Sequence, residues 1–306
     1  MTRKARLIYN PVSGHEQMPK NVADILDVLE QAGYEASPFR TTPEENSARN
    51  EATRAAKEGF DLIVAAGGDG TINEVVNGIA FLENRPKMAI IPAGTTNDYA
   101  RALAIPRDNI PDAAKVILKN KTRKMDIGKA VFGNQTQYFV NIAASGSLTE
   151  LTYGVPSEVK SALGYAAYLI KGAEMLPRLT ENEMRLTYDD GVYEGKLSMF
   201  LLGMTNSIGG FEQVMPDAQL SDGLFQLIVV KPSDPVSMMK LMALALNGKH
   251  VDDPNIIYTK TRSLKAELIG KSAGQDLPVN LDGEIGGYCP VEFDNLQQRI
   301  EFYVGK

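Results

Sequence analysis

Along the first 128 residues, short apolar runs alternate with stretches in which apolar residues return every three or four positions. ARLIYN (5–10) reads as a buried strand and PVSG as the turn behind it. In KNVADILDVLEQAGY, Val22, Ile25, Leu26 and Leu29 form one helical face, closed by Gly33. EASPFRT follows as a second strand, and Pro43 to Gly59 as an alanine-rich helix of mixed charge. DLIVAA (61–66) is a third strand, GGDGT a turn, and Ile72 to Glu83 a third helix. KMAIIP (87–92) is a fourth strand, AGTTND another turn, and a helix opens near Tyr99. Such alternation predicts a parallel, doubly wound, Rossmann-like sheet. Ligands bind these sheets outside the carboxyl ends of the strands. NPVSG, GGDGT and AGTTND all fall there.

After about Lys129 the texture changes. TQYFVNIAA, EMRLTYDD, VYEGKLSMFLLGMTN, GLFQLIVVKP, NIIYTKTRSLKAELI, LPVNLDGE and CPVEFDN…RIEFYV are strand-like, mostly joined by Asp/Gly turns. Helical insertions interrupt them at about 157–176 and 235–248. The expected fold is therefore an α/β domain over 1–128 followed by a β-sandwich domain with helical insertions over 129–306. The last strand, RIEFYV, is compatible with packing back on the first domain, but its pattern does not place it.

Composition narrows the function classes. The 306 residues are 43% apolar and 23% charged, with a net charge of −6. That balance argues against a general nucleic-acid binder, which carries a basic footprint. A single cysteine, Cys289, excludes an intrachain disulfide, fits a reducing cytosol, and reads as a small buried hydrophobe. The opening MTRKARLIYNP has no apolar core behind its charges, and no run reaches membrane-spanning length. A soluble, cytoplasmic protein is expected.

The standard nucleotide fingerprints are absent. GKS at 270–272 has Lys265 where a P-loop needs glycine, and after Gly68 and Gly70 the dinucleotide pattern meets Asn73. His15 and His250 are the only histidines, too few for a zinc cluster. What remains is a phosphate-shaped glycine turn that contains a carboxylate. Asp69 lies in GGDGT, Asp98 in GTTND and Asp126 in RKMDIG. Each alone is also an ordinary turn or helix-start residue. A helix N-terminus after glycines suits phosphate, which a carboxylate would repel unless a cation stands between them. Mg²⁺ with bound waters meets that need, leaving the glycines and Thr71 for the phosphates.

NPVSG, followed by GGDGTINEV and PAGTTNDYA, resembles the lipid-kinase branch of the phosphofructokinase-like superfamily, which includes diacylglycerol, sphingosine and ceramide kinases. LSDGLFQLIVVKP and NLDGEIGG extend the likeness to the soluble bacterial diacylglycerol kinases over nearly the whole chain. NAD kinases and phosphofructokinases share GGDGT, but NPxSG is a lipid-kinase feature. The resemblance implies ATP bound between the domains, lined by Asn10, Pro11, Val12, Ser13, Gly14, Thr41, Gly67, Gly68, Asp69, Gly70, Thr71, Ile72, Asn73 and Thr95. It implies a magnesium–water network on Asp69, Asp98 and Asp126. Glu284 in NLDGE matches the base that takes the proton of the lipid hydroxyl, carried on a mobile Asp-Gly turn that must reach an alcohol. Without the motif Glu284 would read as an exposed hairpin acid. A second, structural Mg²⁺ is implied at the Asp222 carboxylate and the carbonyls of Gln219 and Leu224.

A diacylglycerol substrate lies in a membrane, so peripheral attachment at its inner face is expected. Leu163, Tyr165, Tyr168, Leu169, Ile170 and Leu176 flank Lys171, with Lys160 and Arg178 nearby. This run reads either as a membrane face drawn to anionic headgroups or as a helix packed on the sandwich. Close members of the family often carry lysine after NPxSG, where this chain has His15. The family suggests a homodimer. Rival readings are a kinase of another acylglycerol or long-chain alcohol, an NAD kinase, and a nucleotide sensor without turnover.

Overall fold

The computed structural model describes residues 2–94, 97–146, 180–206, 213–245 and 247–306. Contacts divide the chain into two compact units. Unit 1 is Met1–Ile127, Tyr138–Val140 and Leu296–Lys306, and unit 2 is Gly128–Gln137 and Asn141–Asn295.

In unit 1 the path is β1 (Arg3–Tyr9), α1 (Ser13–Glu16), α2 (Met18–Gln31), β2 (Tyr34–Arg40), α3 (Ser47–Lys57), β3 (Leu62–Gly67), α4 (Asp69–Ile79), β4 (Lys87–Pro92), α5 (Asp98–Ala102) and α6 (Ile110–Lys115). The strands run parallel in the order β2-β1-β3-β4. α2 packs with α6, and α3 with α4. β3 is buried along its whole length, as a strand covered on both faces must be. α2 turns slightly from its expected stripe. Met18, Ile25, Val28 and Leu29 are buried, whereas Val22 and Leu26 are half-buried.

α3 carries almost no apolar bulk, and its packing is a close approach of small groups. A Cβ on Gly78 of α4 would lie 2.5 Å from the Arg49 carbonyl and 2.9 Å from the Ala52 Cβ. Thr53 Oγ1 donates to the Gly78 carbonyl at 2.7 Å. Glu74, from the TINEV segment, reaches across to accept from the Ala48 and Arg49 N–H groups at the start of α3. Buried Glu51 bridges Arg6 and Arg54. Burial pushes its carboxyl pKa up, but the two guanidiniums outweigh that and hold it below the usual range.

From β5 (Thr122–Phe132) the chain continues through β6 (Gln135–Phe139), β7 (Ile142–Gly146), β8 (Asn182–Tyr188), β9 (Gly191–Leu197), β10 (Met199–Gly203), β11 (Phe225–Val230), α7 (Pro235–Ala245), β12 (Ile256–Thr261), β13 (Ser263–Leu268), β14 (Pro278–Leu281), β15 (Glu284–Tyr288) and β16 (Val291–Tyr303). In unit 2, β13 lies between β8 and the start of β16, with β9 beyond β8. A second, six-stranded sheet has the order β12-β11-β10-β7-β14-β15. One face of it packs Ala144, Leu201, Ile228 and Val230 with Met238 and Leu241 of α7. Three runs that read as single strands are each cut in two. VYEGKLSMFLLG divides at Ser198, NIIYTKTRSLKAEL at Arg262, and TQYFVNIAASG after Phe139. Hydrophobic alternation does not mark these breaks, because it continues on either side of each corner. GKS at 270–272 is a single 3₁₀ turn.

β16 contributes its first residues to unit 2 and its last to unit 1, where Phe302 pairs with Met88 of β4. There the Phe302 ring meets Tyr99 edge-on at 5.3 Å.

Candidate active site

The glycine turn is shorter than the sequence suggests. α4 begins at Asp69 with Gly68 as N-cap, so Asp-Gly-Thr is the first helical turn rather than loop. The helix start leaves N–H groups without intrahelical acceptors and places a carboxylate among them. Gly67 is required because a Cβ there would lie 2.5 Å from Thr71 Oγ1. Gly70, in contrast, has nothing among the described residues beyond its own helix within 4 Å of a Cβ. Thr71 and Ile72 are buried, and the Ile72 side chain belongs to the core. Asn73 Nδ2 donates to the Tyr138 carbonyl at 3.2 Å, beside Asn77, which brackets the same residue through its N–H and its carbonyl.

The three strand-end loops of unit 1 converge. A Cβ on Gly94 would stand 2.7 Å from Gly68 Cα, so AGTTND and GGDGT touch backbone to backbone. Gly14, in the left-handed region at φ +64°, packs on Ala93. The Asn10 N–H donates to the Ala66 carbonyl, and the Thr41 N–H to the Tyr9 carbonyl. Asn10 Oδ1 is engaged by the Val12 N–H at 3.1 Å, shaping NPVSG from within, while Val12 stands exposed. With strand order 2-1-3-4, NPVSG and GGDGT flank the gap where the winding reverses. A cavity of about 480 Å³ opens beside Gly14, Ala93 and Gly94, walled by Gln17, Asn21 and Arg107 to Pro111.

Asp69 Oδ2 accepts the Asn97 N–H at 3.0 Å. Asp98 follows at the start of α5 and is 6% exposed. Asp126 is also buried, and its Oδ1 accepts from the Gln298 N–H at 2.7 Å, which ties it to the last strand. Asn97 escaped the sequence reading, although an asparagine directly before a helix start is a recognisable signal.

In unit 2, Glu284 opens β15, exposed, behind the left-handed Asp282 and Gly283. The turn expected to be mobile is pinned. Asn280 Oδ1 accepts from the Gly283 N–H and its Nδ2 donates to the Glu284 carbonyl, both at 3.0 Å. Asp282 Oδ1 accepts from Asn141 and Ile142 N–H at 2.8 and 3.0 Å, and its own N–H donates to the Ile142 carbonyl. Neither Asn280 nor Asp282 stood out in the sequence, because turn-forming and functional Asn/Asp look alike there. Asp222 Oδ1 accepts the Leu224 N–H at 3.1 Å around Gly223 (φ +79°), a turn compatible with carbonyl and carboxylate donors to a hard cation. Among the described residues no group of three or more His, Cys, Asp and Glu is arranged to hold a metal. Cys289 is buried, its thiol pushed up to about 11 by that burial, and is inert. Thr95, Lys171 with the whole 157–176 insertion, and the His15 side chain lie outside the described residues.

Residues 4–130 match the diacylglycerol kinase catalytic domain, and 154–303 match the YegS C-terminal NAD kinase beta sandwich-like domain. The chain belongs to the diacylglycerol kinase family. A diacylglycerol kinase of Bacillus subtilis (strain 168) is 47% identical over 99% of this chain and 97% of its own length. One from Staphylococcus epidermidis is 46% identical over 100% and 93%. The crystal structure of a diacylglycerol kinase from Bacillus anthracis str. Sterne superposes with a TM-score of 0.80 at 30% identity, covering 99% of this chain and 97% of that one. The fold and the lipid-kinase class follow from this membership.

Proposed function

We propose that this lipid kinase transfers the γ-phosphate of ATP to the hydroxyl of a 1,2-diacylglycerol, giving phosphatidic acid. The observation that carries the reading is the convergence of AGTTND with NPVSG and GGDGT, the two loops that flank the reversal of the sheet, with Asp69 at the head of α4. Backbone N–H groups at that helix start receive phosphate oxygens. Asp69, Asp98 and Asp126 are hard oxygen donors in the same unit and suit hydrated Mg²⁺. The cation would neutralise phosphate charge and orient the γ-phosphoryl group. Glu284 accepts the proton of the attacking alcohol, on a turn that Asn280 and Asp282 hold in place. Asp222 and the carbonyls of Gln219 and Leu224 form the seat of a second, structural Mg²⁺. Peripheral attachment to an anionic inner membrane surface, with Lys171 facing it, and a homodimeric state complete the proposal.

The test is thin-layer separation of products from [γ-³²P]ATP and a lipid panel of diacylglycerol, monoacylglycerol, ceramide and long-chain alcohols. Label in phosphatidic acid is expected. Glu284→Gln should cut kcat by about 10²–10⁴ with ATP affinity nearly unchanged. Label confined to another lipid would overturn the substrate, and normal kcat in Glu284→Gln would overturn the base.

A further inference from the structure

Asn97 occupies the N-cap position of α5, yet its side chain makes no capping hydrogen bond to that helix. The usual reason for an asparagine there is missing. The side chain turns backwards instead. Its Oδ1 accepts the Gly94 N–H at 2.9 Å and its Nδ2 donates to the Gly94 carbonyl at 2.7 Å. The amide thus forms a two-bond ring with the backbone of Gly94, with Asn97 itself left-handed at φ 51° and 4% exposed. From that ring its backbone N–H reaches Asp69 Oδ2 at 3.0 Å. Gly94, the residue clamped, is also the one pressed against Gly68.

We infer that Asn97 is a positioning residue that aims the Asp69 carboxylate at the nucleotide-bound cation. The inference rests on the reading of Asp69 as a magnesium-network carboxylate. Only an amide fits both ends of the ring, because a carboxylate cannot donate to the Gly94 carbonyl and a hydroxyl cannot reach both atoms as the planar amide does. Asparagine also tolerates the left-handed backbone that points the N–H at Asp69. Without that clasp Asn97 is no longer held to Gly94, and the N–H it offers to Asp69 Oδ2 loses its fixed position.

The test is calorimetric titration with the non-hydrolysable analogue AMP-PNP, with Mg²⁺ and with EDTA. The proteins are the full chain, Asn97→Ala, Asn97→Gly, Asp69→Asn and the double variant Asp69→Asn/Asn97→Ala. Asn97→Gly keeps the left-handed backbone and guards against a misfolded Asn97→Ala. Loss of an aimed, charge-assisted contact should weaken Mg²⁺·AMP-PNP binding about tenfold in both Asn97 variants. Binding in EDTA should change by less than about threefold, and Asn97→Ala should add nothing in the Asp69→Asn background. Equal weakening with and without Mg²⁺, or multiplying effects in the double variant, would overturn the inference. If Asp69→Asn itself binds Mg²⁺·AMP-PNP normally, the reading of Asp69 fails, and the inference with it.

Discussion

Gly70→Ala should separate stability from nucleotide binding in opposite directions. Gly70 is the second residue of α4, and beyond its own helix backbone a Cβ there meets no atom of the described residues within 4 Å. Its backbone is helical, so alanine brings no strain and removes conformational freedom from the unfolded chain. The gain is about 0.4–1 kcal/mol. For a domain of this size that raises Tm by about 1–3 °C. The same position is where the phosphates belong if the first turn of α4 is their seat. A methyl group there displaces an oxygen from its N–H donors, at about 1.5–3 kcal/mol for a hydrogen bond to a charged group. Mg²⁺·AMP-PNP affinity should therefore fall by roughly ten- to a hundredfold. Scanning calorimetry gives the first number and titration calorimetry the second. Gly94→Ala is the contrast, because its Cβ would meet Gly68 Cα at 2.7 Å and Asn97 Oδ1 at 2.9 Å. It should lower both Tm and affinity. A Gly70→Ala protein that melts higher and binds normally would show that the nucleotide does not sit over α4.

Glu51→Gln should destabilise unit 1 by about 2–4 kcal/mol, because Arg6 would keep a half-buried charge without its carboxylate. The Glu51 carboxyl is held below its usual pKa, so its stabilisation is complete above the unfolded-state value and fades as pH falls through the lowered one. Denaturant melts at pH 7 and pH 3 should show the gap to the variant closing. His250 is buried, with Nε2–H on the Val214 carbonyl and no partner at Nδ1 among the described residues, and burial lowers its pKa. Below about pH 6.5 the unfolded chain takes up a proton that the folded one resists, so stability falls with pH there. His250→Gln should flatten that slope of Tm between pH 7 and pH 5.5, and an unchanged slope would acquit His250. Asp282→Ala would leave the Asn141 and Ile142 N–H groups without their acceptor, at about 1–3 kcal/mol. It should lower Tm and also cut kcat by loosening the Glu284 turn, whereas a Tm loss with full kcat would separate the turn from catalysis.

Local periodicity was enough to find most strands and helices and the three glycine-bearing loops of the first half. Each of those signals is carried by residues a few positions apart, through the pitch of a helix, the alternation of a strand or the backbone freedom of glycine. GGDGT raised the expectation of a cation because a carboxylate sits among N–H groups of a kind that suits phosphate. What the chain folded into decided the rest. The cuts at Ser198 and Arg262 depend on which sheet each half joins, and both halves alternate equally well. The extension of α4 back to Asp69 and the turning of Asn97 from its own helix to Gly94 depend on two loops 26 residues apart meeting at Gly68 and Gly94. The pinned NLDGE turn needs Asn141 and Ile142, far away in the chain, to bring their N–H groups to Asp282. A lone Asn or Asp in a sequence has the same composition whether its partner is its neighbour or a strand arriving from elsewhere. Only the packed backbone decides which buried donors need it.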